Sequence, residues 1–195
     1  VEGVFFNVFA VFSIGYLANV IGFPRTAALW AVSIAALTLV VTLPLFGALS
    51  DRIGRPKTYA IGSLLLGICA FPAFMAFQTG DTATIYAAMT IAFGIVYALC
   101  YGPEAALFSD LFPTGVRYTG VSFVYQVSGV FASGITPLVA AYLLEVGNQT
   151  PWLICGYVAF AALISMISTL AIDRRRSPTE APARQAGPTS TAVSL

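Results

Sequence analysis

The chain contains no histidine. That removes the commonest general base and the commonest neutral metal ligand. Charge is scarce as well: 9% of the 195 residues are Asp, Glu, Lys or Arg, and the formal net charge is +1. A balance so near neutral leaves no footprint for a nucleic acid or another polyanion. Cysteine is limited to Cys69, Cys100 and Cys155, which fall in three different apolar runs without C-x-x-C spacing. They read as small apolar side chains, with no disulfide or metal role. No nucleophile–base or metal-ligand constellation is present, so neither a cofactor nor an enzymatic activity is expected. Period-two alternation is missing, which excludes a membrane β-barrel. The first residues have no basic segment and no A-x-A site, so they are not a signal peptide. With Val1 in place of an initiator Met, the sequence is expected to begin inside a longer protein.

What fills the chain is apolar surface. Hydrophobic residues make up 58%, against roughly half in an ordinary soluble domain, so the excess must face lipid. Six runs approach or exceed the about 20 residues a bilayer span needs. They are Val4 to Ile21, Ala27 to Leu49, Thr58 to Phe77, Thr84 to Phe108, Tyr118 to Leu144 and Trp152 to Ile172. Turn residues such as Gly80-Asp81 and Pro113-Thr114-Gly115 separate them. The pattern predicts an all-α membrane protein with one six-helix transmembrane bundle over residues 1–172. Residues 173–195, rich in Pro, Ser, Thr, Ala and Arg, are expected to form a disordered cytoplasmic tail. Arg52, Arg55, Lys57, Arg117 and Arg174 to Arg176 would all lie on one side of the membrane, and only Arg25 on the other. The positive-inside rule therefore places both termini in the cytoplasm. The third and sixth helices, apolar nearly all round, are expected to be peripheral with wide lipid contact.

Polar residues inside the spans mark candidate pathway positions. On the fourth run Tyr86, Thr90, Gly94, Tyr97, Tyr101 and Glu104 recur at helical spacing and share a narrow face. A carboxylate within the bilayer is costly and usually faces a cavity or a partner. The competing structural reading puts Glu104 at the headgroups or capping backbone beside Pro103. On the fifth run Tyr125 and Gln126 stand beside small residues that favour close helix packing. Gln126 needs hydrogen-bond partners that packing alone does not supply. Tyr97, Tyr101, Glu104, Tyr125 and Gln126 are therefore the expected substrate and proton pathway, with Glu104 as the one acid inside a span.

The second and third runs are joined by Gly47-Ala48-Leu49-Ser50-Asp51-Arg52-Ile53-Gly54-Arg55-Pro56-Lys57. Gly47-x-x-x-Asp51-Arg52-x-Gly54-Arg55 resembles the loop signature of the major facilitator superfamily, with Pro56 interrupting the usual pair of bases. Gly102-Pro103-Glu104 and Asp110-Leu111-Phe112-Pro113-Thr114-Gly115-Val116-Arg117-Tyr118-Thr119-Gly120 resemble a segment of its metabolite:proton symporters, the group of shikimate, proline/betaine, α-ketoglutarate and citrate carriers. The resemblance covers nearly all of the chain except the tail. It implies the C-terminal half of a twelve-helix carrier, built as two inverted three-helix repeats. It also implies a cytoplasmic gate of Gly47, Asp51, Arg52, Gly54, Arg55, Asp110 and Arg117, in which salt bridges between the two turns form in one state and break in the other.

The expected activity is proton-coupled symport of a small organic acid or zwitterion across the plasma (inner) membrane. The expected partners are that solute, a proton, the lipid bilayer, and either a missing N-terminal six-helix half or a second copy. The alternatives are a sugar or drug carrier of the same superfamily, and a structural or truncated membrane subunit that transports nothing.

Overall fold

The computed structural model of the chain describes residues 1–176. Six long helices follow one another: α1 (Glu2–Ile21), α2 (Arg25–Ile53), α3 (Arg55–Gln78), α4 (Thr82–Ser109), α5 (Arg117–Val146) and α6 (Trp152–Arg176). No strand occurs among the described residues. All six expected spans are present, most with added residues at their ends. Hydropathy stops counting at the first charged residue, whereas backbone hydrogen bonding continues past it. Thus α2, with 29 residues, is about 44 Å long at 1.5 Å per residue and overshoots a hydrocarbon core of about 30 Å. α6 likewise runs to Arg176, past the boundary expected at Ile172. The remainder of the expected tail, 177–195, lies outside the described residues.

Local chemistry sets the helix ends. Gly54 takes φ +110° between α2 and α3, a conformation that residues with a Cβ rarely adopt. A single residue therefore makes the whole turn. Pro56 falls in the first turn of α3, where its missing N–H costs no hydrogen bond. The residue that departs from the family signature is thus a helix starter. Asp81 caps α4, accepting from the Thr84 N–H at 2.9 Å and the Thr84 hydroxyl at 2.7 Å. These bonds hold its carboxyl below the usual Asp range.

α3 and α6, expected to be peripheral, each keep an exposed apolar stripe, Ile61, Leu65, Ile68 and Met75 on α3 and Phe160, Ile164 and Ile167 on α6. α3 is the most buried helix: half of its apolar window is covered by neighbours, against 6% for α2 and 12% for α5. α3 and α6 lie against each other. A Cβ on Gly67 would sit 2.9 Å from the Ala162 Cβ and 3.3 Å from the Ala159 Cα. Small residues let these backbones approach, which is how helices associate where lipid is as apolar as the side chains. Composition could not reveal this, because an apolar surface reads the same whether lipid or a helix covers it. A cluster of rings ties α1 to α3. Phe9 and Tyr16 meet Phe74 edge-on at 5.6 and 5.5 Å, and Phe5 stacks on Phe9 at 4.2 Å. Edge-on pairs of this kind contribute about 0.5–1.5 kcal/mol each beyond burial.

One irregularity separates the helices into two sets. Segments with i→i+5 hydrogen bonds occur at Asn7–Phe12 and Leu17–Ile21 in α1, Thr90–Val96 in α4 and Val130–Gly134 in α5. α2, α3 and α6 are regular α-helix. Such segments free carbonyls from the usual ladder. Thr42 of α2 donates its hydroxyl to the Gly94 carbonyl, inside one such segment, at 2.5 Å.

Replacing Gly67 by Leu should force α3 and α6 apart. A loss of about 1–3 kcal/mol is expected from overpacking, read as a lower unfolding midpoint of the detergent-purified protein. An unchanged midpoint would contradict the tight α3–α6 contact.

Candidate functional site

The charged turns come together at one end of the bundle. Asp51 lies in the last turn of α2 and Arg55 opens α3, so the one-residue Gly54 turn sets them four apart. Arg55 Nη2 lies 2.9 Å from Asp51 Oδ1, and its Nε donates to the same oxygen at 3.0 Å. Its Nη1 reaches across to Asp110 Oδ2 at the end of α4, at 2.7 Å. Arg55 is therefore the base that joins the two turns. Arg52 is exposed. Arg117 donates its Nε to the Phe112 carbonyl at 3.3 Å, bracing its own turn. The network assembles from Asp51, Arg55 and Asp110, with Arg52 and Arg117 outside these two ion pairs. Gly47 has a packing role. A Cβ on Gly102 of α4 would lie 3.0 Å from the Gly47 N and 3.2 Å from the Leu43 carbonyl oxygen. The α2 and α4 backbones thus touch one turn above the charges.

Near this same end, α1, α4 and α5 line a half-open cavity of about 240 Å³. Glu2, Glu104, Phe108, Tyr125 and Ser133 line it. Glu104 is only 3% exposed, and its Oε2 has no hydrogen-bond partner. The carboxyl is covered by neighbouring helices five residues before the end of α4, roughly 8 Å along the axis. Tyr125 interacts with Glu104 and packs its ring edge-on against Phe108 at 5.6 Å. The two expected stripes, one from α4 and one from α5, meet here.

Three expected positions lie outside this cavity. Gly94 faces α2, where a Cβ would lie 2.9 Å from the Thr38 Cβ, so it serves packing. The reason is the irregular segment Thr90–Val96. An i→i+5 segment takes more residues per turn than an α-helix, so a stripe counted at 100° per residue drifts as it passes through. Tyr101 is 38% exposed and stacks on Tyr97 at 5.4 Å. Gln126 is exposed and does not line the cavity.

Glu104 is not the one acid inside a span. Glu2 lies in α1 and lines the same cavity, and the buried Tyr97 hydroxyl donates to its Oε1. Counting the first span from Val4 left Glu2 out. The signal that could have found it is local: Glu2 is joined without any turn residue to the apolar run that follows. Asn7 donates its side-chain amide to the Gly3 carbonyl at 2.8 Å, which answers its polarity within α1.

Comparison with known proteins reaches the same fold. The family model described as Major Facilitator Superfamily matches residues 3–194. The chain is 32% identical over 157 residues to the Inner membrane metabolite transport protein YhjE of Escherichia coli, covering 80% of this chain and 35% of that protein. It is 28% identical to the Shikimate transporter of the same species, covering 82% and 36%. To the Proline/betaine transporter of Escherichia coli it is 30% identical, covering 64% and 24%. The chain thus spans about a third of the length of the curated relatives it matches. No solved structure matches it.

Two substitutions check the energetics of this geometry. The Arg55 and Asp110 side chains are 35% and 40% exposed, and exposed pairs contribute about 0–1 kcal/mol. Asp110→Asn should leave the unfolding midpoint nearly unchanged. Glu104→Gln replaces a buried carboxyl that lacks a full set of partners, and should be no less stable than the native protein. A large loss in either variant would show that the group holds the fold together.

Proposed function

The chain belongs to the Major Facilitator Superfamily, and from that membership we propose that it forms one half of a secondary transporter of small organic solutes. The observation that carries the reading is the buried Glu104 carboxyl facing a half-open cavity between three apolar helices. Membrane proteins hold such groups where an ion or substrate passes. The bundle is a multi-pass membrane unit, and in this reading it sits in the inner membrane with its charged turns on the cytoplasmic side. The relatives named above are transporters by name, and a small organic acid or zwitterion is the proposed solute class.

Transport in this reading is alternating access. Solute binds between two six-helix bundles that rock about it. α2 and α5, the least covered helices, supply the face that a preceding six-helix half or a second copy would cover. The Asp51–Arg55–Asp110 network is the cytoplasmic latch. Its modest stability suits that role, because a latch has to form in one state and break in the other. Arg52 and Arg117 stand ready at its margin for pairing across the two halves. Symport with a proton is proposed for the same cavity, with Glu104 and Glu2 as the groups able to carry it.

The test is uptake by the full-length protein in proteoliposomes, offering organic acids, betaine and sugars with and without an inward proton gradient. Gradient-dependent uptake of an organic acid or betaine is expected. Uptake of sugars alone would favour the other branch of the superfamily, and no uptake at all would favour a non-transporting subunit. Asp51→Asn should lower uptake at least tenfold while membrane insertion stays normal. Unimpaired uptake would remove the latch from the mechanism.

A further inference from the structure

The cavity between α1, α4 and α5 carries two carboxyl groups, Glu2 and Glu104, with Val1 beside them, and no lysine, arginine or histidine side chain lines it. A site built to hold the carboxylate of an organic acid would present bases, most often arginine, since paired N–H donors match a carboxylate. The ionisable side chains here carry the opposite charge. The Glu2 side chain is held in place by the Tyr97 hydroxyl, and Tyr97 is itself wedged between stacked Phe5 and Tyr101 rings at 6.0 and 5.4 Å. Glu104 is held almost fully out of solvent with Oε2 unpartnered. A buried carboxylate left in that condition is expensive unless a cation or a proton completes it. The walls also include the Phe108 and Tyr125 rings, set edge to face. Aromatic ring faces attract organic cations. About 240 Å³ corresponds to roughly eight waters at about 30 Å³ each, enough for an ammonium bearing small alkyl groups.

We propose that this cavity is a binding site for an organic ammonium group, with Glu2 and Glu104 supplying the charge and Phe108 and Tyr125 the cation–π wall. This half of the carrier then grips a zwitterionic solute by its cationic end. A solute carrying a carboxylate and no ammonium is not held here. The site rests on the transporter reading only for the route by which a solute reaches it.

The probe is tetramethylammonium chloride, titrated into the detergent-purified full-length protein while the unfolding midpoint is followed. Sodium chloride at equal concentration controls for ionic strength and for an inorganic cation. Sodium pivalate, of nearly the same size with the opposite charge, controls for shape. Tetramethylammonium should raise the midpoint with a saturable dose dependence, and neither control should. Glu104→Gln should weaken the apparent affinity at least tenfold. Tyr125→Leu, which keeps both carboxyl groups, should weaken it as well, whereas Tyr125→Phe should preserve it. The proposal is overturned by an equal response to sodium chloride or to pivalate, by no response to tetramethylammonium, or by an undiminished response in both Glu104→Gln and Tyr125→Leu. Because binding is read without transport, the two readings fail separately. Solute uptake without a tetramethylammonium response sinks the ammonium site alone. A tetramethylammonium response without any uptake sinks the transport reading and leaves the site standing.

Discussion

In a bilayer no water is available to satisfy the backbone, so each N–H and C=O must find its partner within the protein. That constraint produces the long helices of this chain and explains where they depart from regularity. The i→i+5 segments lie in α1, α4 and α5, the three helices that line the cavity. They release carbonyls that lipid cannot satisfy. At Gly94 the carbonyl oxygen accepts from the Thr42 hydroxyl of the neighbouring helix. The bundle therefore confines irregular backbone to its cavity-lining helices and keeps the other three regular.

Two kinds of charge follow different rules here. At the end of the bundle, Asp51, Arg55 and Asp110 pair in reach of water, where desolvation is small and the net contribution is small too. Inside, Glu104 has given up its hydration without a full set of partners. The first arrangement can open and close at little energetic cost. The second stays unfavourable until a proton or a cation arrives. Both belong to the same bundle and are connected through α4, which carries Glu104 and ends at Asp110.

Close helix contact depends on small side chains rather than on apolar area. Gly102 against Gly47 brings α4 onto α2, and Gly67 against Ala159 and Ala162 brings α3 onto α6. The first of these gives Gly47 of the loop signature a packing reason, apart from any role in gating. Gly54 meets a different need, the positive φ of a one-residue turn, and Pro56 fits because it begins the next helix.

Much of this was legible in the residues. Six apolar runs give six helices, because a span is long enough to be counted and lipid tolerates no alternative. The signature around Asp51 and the segment around Asp110 point to one family, and the family model matches. Glu104 drew notice because a lone acid in a span is rare. Three things were decided only by the tertiary structure. Which face of an apolar helix is covered depends on neighbours that composition cannot see, and half of α3 is covered. Which bases bridge the turns depends on reach across 55 residues of sequence, and Arg55 makes the bridge. Glu2 and Glu104 share one cavity because the α1 and α4 backbones bring together residues far apart in the chain. Periodicity describes one helix at a time, whereas a site between helices exists only once they have packed.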